Sequence, residues 1–204
     1  MVDEIFPTIP PAEQSEELSW AHKVAAINAA FQESQLPYAF GGAIAMNYHR
    51  EPRATSDIDV NIFLSPADQE GALGALRQLY GLPDEERVRR EIVASGQARS
   101  LWTTTYIDLF FANTDFHESM AQRVSHEPFG DTVIPVLSIE DLIVCKAVFD
   151  RPKDWIDIDA VVKSGRKPLD LAYMISWLDK FKMTPEDNSR IDRLQTLVTQ
   201  QSAL

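Results

Sequence analysis

Cysteine is almost absent from this chain: Cys145 is the only one among 204 residues. An internal disulfide is therefore impossible, and a cysteine-built zinc site is excluded. Long apolar runs are missing too. No stretch approaches the roughly 18–20 residues that cross a bilayer, so no membrane association is expected. The opening Met1-Val-Asp-Glu-Ile-Phe-Pro7 lacks the basic start and apolar run of a secretory signal, and the expected compartment is the cytoplasm. Positive charge is scarce, with 19 Lys and Arg against 31 Asp and Glu and a net charge of −12. Extensive nucleic-acid binding needs clustered Lys and Arg and is not expected. Arg87, Arg89 and Arg90 form one local basic candidate, whose ordinary alternative is a solvated helix face. The histidines His22, His49, His117 and His126 show no metal-ligand spacing. No Gly-x-Gly-x-x-Gly and no Gly-Lys-Ser/Thr occurs, which argues against a dinucleotide fingerprint and a P-loop.

What is present fits a globular protein, 45% hydrophobic and 25% charged. Residues 1–11 are proline-rich and read as an extended arm. Residues 12–34 lack Gly and Pro and carry Leu18, Ala21, Val24, Ala25, Ile27 and Phe31 at the spacing of an amphipathic helix. Residues 38–40 read as a short strand ended by Gly41-Gly42, residues 43–49 as a short helix, and residues 58–64 as a second strand. Ser65-Pro66 suits the cap and first turn of a helix over 67–80. Residues 83–96 are charged and ambiguous. Residues 100–112, rich in Thr, Tyr and Phe, read as one long strand or a hairpin. A helix is expected at 115–123 and a strand at 132–136. Ser138-Ile-Glu-Asp141 has the capping-box form and opens a helix to about 150. Helices near 153–163, 169–181 and 185–201 follow. The expected class is α/β (α+β): a small mixed sheet flanked by helices over residues 1–136, then a C-terminal helical region over 137–204 packed on that core.

The chemistry centres on Asp57-Ile58-Asp59, at the head of the apolar run 60–64. On a strand, residues i and i+2 point to one face, so both carboxylates project together. Like charges held that close repel, and a divalent cation with oxygen ligands, such as Mg²⁺, removes the conflict. Upstream, Gly41-Gly42 stands between a strand and a helix, where bare backbone N–H groups can approach a phosphate; a purely structural turn is the alternative. Downstream, Asp108 is an isolated charge in the apolar strand Tyr106-Ile-Asp-Leu-Phe-Phe111, which is costly unless it is paired or metal-bound. A second Asp-Ile-Asp at 157–159 falls in an expected helix, where residues two apart point about 200° apart. Those two acids cannot chelate one ion together. Asp154 and Asp157 share a face instead, placed to order Lys146 or Arg151, and Asp159 is expected in solvent. Cys145, in an apolar helix, is expected to be an inert thiol.

An apolar residue, Gly-Gly, then Asp-apolar-Asp-apolar at a strand start and a third acid on a later strand resembles the signature of the polymerase-β-like nucleotidyltransferase superfamily. Arg53-Ala-Thr55-Ser56-Asp57, Ser138 to Lys146, and Arg151-Pro-Lys-Asp154-Trp-Ile-Asp157 look like the abortive-infection toxin branch and the branches that modify aminoglycosides or lincosamides. The resemblance covers about residues 35–163. It implies transfer of a nucleoside monophosphate from an NTP to a hydroxyl acceptor, with release of pyrophosphate. The acceptor could be a small molecule, a protein or a tRNA end. It implies two Mg²⁺ ions held by Asp57, Asp59 and Asp108, with Asp108 able to take the acceptor's proton, and a triphosphate held by Gly41, Gly42, Ser56 and Lys146. Arg151, Asp154 and Asp157 would lie near the cleft. The alternative is a catalytically silent nucleotide-binding or toxin–antitoxin-type module held by a protein partner.

Overall fold

The computed structural model describes residues 18–184 and 187–201. The expected arm, residues 12–17 of the expected first helix, and residues 185–186 lie outside them. The elements run α1 (Trp20–Glu33), β1 (Tyr38–Phe40), α2 (Gly42–Met46), β2 (Ile58–Ile62), α3 (Glu70–Tyr80), α4 (Glu85–Ser95), β3 (Gln97–Trp102), β4 (Thr105–Phe111), α5 (Asp115–Gln122), β5 (Ser125–Phe129), β6 (Thr132–Val136), α6 (Ile139–Phe149), α7 (Pro152–Ser164), α8 (Leu171–Lys180) and α9 (Asn188–Gln201). The strands form one six-stranded mixed sheet in the order β3-β4-β2-β1-β6-β5. The pairs β1–β6 and β2–β4 are parallel and β3–β4 is antiparallel.

Several local expectations are corrected. The helix expected at 67–80 is a short 3₁₀ turn, Pro66–Asp68, followed by α3. Ser65 still caps its start, its hydroxyl accepting from the Ala67 N–H at 3.2 Å. The ambiguous 83–96 segment is the helix α4, whose buried face is Val88 and Ile92. It stops at Gly96, which adopts φ 75°. A side chain there would also press within 2.7 Å of Asn113 Nδ2. The 100–112 run is a hairpin. Strand β5 went unrecognised because His126, Glu127 and Pro128 read against a strand; at the end of the strand order, proline's missing N–H is tolerated.

Chain contacts separate two compact units. The first is Met1–Tyr38, Ser56–Asn113 and Pro128–Ile134. In it, one face of β2, β3 and β4 presents Ile58, Val60, Ile62, Ala98, Ser100, Trp102, Ile107, Leu109 and Phe111, all buried. Helix α4 packs against β3, and α1 against α3, adding buried Val24, Ile27, Phe31, Leu73, Leu76, Val88 and Ile92. Each fully buried aliphatic or Phe side chain contributes roughly 1.5–3 kcal/mol. Lys23 on α1 is buried and fastens the hairpin. Its Nζ donates to the Trp102 carbonyl at 2.9 Å, Thr103 Oγ1 at 2.6 Å and Thr105 Oγ1 at 3.0 Å. All three of its N–H donors are thereby used at the turn. That turn is two residues long, with Thr103 in the left-handed region at φ 54°.

The second unit is Ala39–Thr55, Thr114–Glu127 and Pro135–Leu204. Its core is built on α6, whose Ile143, Val144 and Ala147 are fully buried, with Met46, Ile158, Met174 and Leu194. Ser138 caps α6 as expected: its hydroxyl accepts from the Asp141 N–H at 3.2 Å and donates to Asp141 Oδ2 at 2.6 Å. Burial pushes the Asp141 carboxyl above its ordinary range, against hydrogen bonds from Ser138 and Tyr173 that pull it down. Tyr173 Oη donates to Asp141 Oδ1 at 2.5 Å, joining α8 to α6.

Candidate functional site

The open face of β3-β4-β2 carries the acids. Side chains alternate along each strand, so the residues facing away from the first unit's core are Gln97, Arg99 and Leu101 on β3, Tyr106, Asp108 and Phe110 on β4, and Asp59 and Asn61 on β2. Asp59 stands directly opposite Asp108 in the parallel β2–β4 register, and Asp108 stands directly opposite Arg99 in the β3–β4 register. Directly opposite residues share a face. Arg99, Asp108 and Asp59 therefore form a row across the sheet, with Asp57 two residues before Asp59, just ahead of β2. Their neighbours on this face are partly open: Asp57, Asp59 and Asp108 are half-buried, and Arg99 and Tyr106 are exposed.

Arg99 was not singled out in the sequence. It meets Asp108 as a fork, Nε to Oδ1 and Nη2 to Oδ2, both at 2.6 Å, and its Nη2 lies 3.7 Å from Asp57 Oδ2. The hydrogen bond to Asp108, followed by the charges of Asp108, Asp57 and Asp59, holds the guanidinium above arginine's ordinary range. Its Cζ also lies over the Tyr106 ring, 4.8 Å from the ring centre. Ser56 Oγ donates to Asp57 Oδ1 at 3.0 Å, and Trp20 Nε1 donates to the Asp57 carbonyl at 3.4 Å. Among the described residues, no group of three or more His, Cys, Asp or Glu side chains is gathered closely enough to hold a metal ion. The donor chemistry nevertheless suits a hard cation: three carboxylates on one sheet face, two at facing register positions, with a guanidinium supplying the positive charge.

The glycines and Lys146 belong to the second unit. Gly42 begins α2 with φ 48°, a backbone conformation that favours glycine. Lys146 on α6 donates to Asp157 Oδ2 at 2.7 Å and to Asp154 Oδ1 at 3.2 Å. This is the pairing expected from the shared face of Asp154 and Asp157. Arg151 forks onto Asp154 through Nε at 2.6 Å and Nη2 at 3.1 Å. Arg50 Nη1 meets Asp157 Oδ1 at 2.9 Å, and Arg53 Nη2 meets Asp157 Oδ2 at 3.3 Å. Four cationic side chains thus surround two buried aspartates. Burial pushes both carboxyls up, but for Asp154 the hydrogen bonds and charges of Arg151 and Lys146 prevail, and for Asp157 those of Lys146, Arg53 and Arg50, so both rest below the ordinary aspartate range. Arg50 was also missed; it is buried, and nothing in its local sequence marks it. Asp159 differs from its expected place in solvent: it is half-buried and paired with Lys163 at 2.7 Å. Burial pushes the Cys145 thiol up to about 12, as an inert thiol requires.

A family model described as "Nucleotidyl transferase AbiEii toxin, Type IV TA system" matches residues 24–201. Three solved structures are similar to the chain. One is the antibiotic-resistance factor ANT(2'')-Ia in solution, at 13% identity over 90% of this chain and 91% of that one, with a TM-score of 0.44. Another is a nucleotidyltransferase candidate from H. pylori, at 14% identity over 91% and 95%, with a TM-score of 0.48. The third is an antigenic nucleotidyltransferase-like protein from Paracoccidioides brasiliensis, at 14% identity over 89% and 90%, with a TM-score of 0.42. No curated protein matches the chain.

Proposed function

The chain belongs to the AbiEii family of nucleotidyltransferase toxins of Type IV TA systems, and from that premise we propose that it transfers a nucleoside monophosphate from an NTP to a hydroxyl acceptor with the help of Mg²⁺. The observation that carries this reading is the facing register of Asp59 and Asp108 with Asp57 two residues upstream. Asp57, Asp59 and Asp108 are the residues that would hold the divalent cations. Bound there, two Mg²⁺ ions would neutralise phosphate charge and lower the pKa of the acceptor hydroxyl.

The chain's own groups have separate tasks. Asp108 accepts the acceptor's proton as that oxygen bonds to the α-phosphorus. The bond from the α-phosphorus to the bridging oxygen breaks, and pyrophosphate leaves with the electron pair. Gly41, Gly42, Ser56 and Lys146 are assigned to the triphosphate on the strength of the family resemblance. Positioning and charge neutralisation supply most of the catalysis, as in phosphoryl transfer generally. The acceptor is a small molecule, a protein or a tRNA end, and a protein partner of the antitoxin kind fits the family's description.

The test is incorporation of α-labelled NTP, with Mg²⁺, into candidate acceptors or into the protein itself. Asp57→Ala and Asp59→Ala should each abolish the signal; transfer unchanged in both variants would sink the reading. A second reading, nucleotide binding without transfer, draws support from the Arg99 fork on Asp108, which fits a silent site. Calorimetric NTP binding with no label transferred across a broad acceptor screen would select it.

A further inference from the structure

Three carboxylates on one sheet face repel one another. Arg99 balances them, through both oxygens of Asp108 at 2.6 Å and the nearby Asp57 oxygen at 3.7 Å. A divalent cation drawn to the same oxygens brings the charge that Arg99 now supplies. Two cationic centres on one carboxylate repel, so loading one loosens the other. Arg99 has room to leave. Its side chain is 51% exposed against 14% for Asp108, and β3 ends the strand order, so among the described residues no outer strand confines it. Its backbone is held meanwhile, because Arg87 Nη2 donates to the Arg99 carbonyl at 2.9 Å. The Tyr106 ring beneath the guanidinium keeps it beside the acids once the fork opens.

The same planar fork that fits a carboxylate fits a phosphate. We propose that Arg99 is a phosphate-binding residue of the nucleotidyltransferase site, parked on Asp108 and released to the nucleotide's phosphate oxygens when a divalent cation takes the carboxylate. This rests on the reading of Asp57, Asp59 and Asp108 as the metal-binding acids.

The experiment measures binding, by calorimetry and melting temperature, for the wild type, Arg99→Gln and Arg99→Lys. Mg²⁺ is titrated alone, and then a non-hydrolysable NTP is titrated with Mg²⁺ present. Arg99→Gln should bind Mg²⁺ alone about two- to fivefold more tightly, the yield of removing a partly exposed ion pair. It should bind the nucleotide about tenfold more weakly, the loss expected for a charged hydrogen bond. Arg99→Lys keeps the charge without the fork and should lie between on both scales. Mg²⁺ affinity in Arg99→Gln at or below the wild-type value overturns the proposal, and so does unchanged nucleotide affinity. Failure of the underlying reading looks different: Mg²⁺ then binds to neither the wild type nor any variant, or binds Asp59→Asn as tightly as the wild type, and either result overturns the proposal along with that reading.

Discussion

Replacing Asp157 by alanine tests the charged cluster around Lys146. The Asp157 side chain is 8% exposed, and its two oxygens receive Arg50 at 2.9 Å, Lys146 at 2.7 Å and Arg53 at 3.3 Å. The three cations fare differently without it. Lys146 keeps Asp154 at 3.2 Å. The Arg53 side chain is 47% exposed and turns to water, so its pair contributes at most about 1 kcal/mol. Arg50 is buried, and its Nε already lacks a hydrogen-bond partner. Stranding it should dominate, at about 3–5 kcal/mol, the cost of breaking a buried pair from one side. For a chain of this length that lowers the melting temperature by roughly 6–20 °C. Urea unfolding of Asp157→Ala gives the free energy, and calorimetry the melting temperature. Asp159→Ala, in the same helix and the same Asp-Ile-Asp tripeptide, is the control. Asp159 pairs with the exposed Lys163, so its loss should stay within about 0.5 kcal/mol. A double variant, Arg50→Met with Asp157→Leu, should recover much of the loss, because the stranded charge is gone. A loss below about 1 kcal/mol for Asp157→Ala, or an equal loss for Asp159→Ala, would refute the reasoning.

Acid stability should follow the same cluster. Asp154 and Asp157 sit below the ordinary aspartate range, so their contribution is complete above that range and disappears as pH falls through their depressed values. Urea midpoints measured downward from pH 5 should drop less steeply in Asp154→Asn than in the wild type. With its thiol pushed up to about 12, the half-buried Cys145 should react with iodoacetamide at pH 8 at least about tenfold more slowly in native protein than in urea, and equal rates would contradict that shift. Lys23→Met should cost about 1–3 kcal/mol in urea unfolding by leaving the Trp102 carbonyl and the Thr103 and Thr105 hydroxyls without their shared donor; a neutral result would show that the turn holds without it.

Periodicity and turn residues made most elements legible. Residues 38–40, 115–123, 132–136 and 139–150 lie within a residue or two of β1, α5, β6 and α6, because each has a clear alternation, a cap or a breaker. Segment 83–96 stayed ambiguous because only Val88 and Ile92 face inward from a helix otherwise dense in charge. A helix carrying so little apolar surface is recognised by what packs on it, not by its own pattern.

The site divides in the same way. Asp57, Asp59 and Asp108 were visible in the sequence because an acid within an apolar strand is chemically costly and so stands out locally. That Asp154 and Asp157 share a helix face follows from spacing alone. Arg99 and Arg50 were not visible, because an arginine is unremarkable until its partner is known. Arg99 meets Asp108 only because a two-residue turn, fastened by the buried Lys23, pairs position 99 with 108; a slip of one residue would send every side chain on β3 to the other face. Arg50 meets Asp157 across more than a hundred residues. The chain by itself determined which groups carry charge into apolar surroundings, since that depends on near neighbours. Only the tertiary structure decided which opposite charge answers each of them, since that depends on register and packing between segments far apart in sequence.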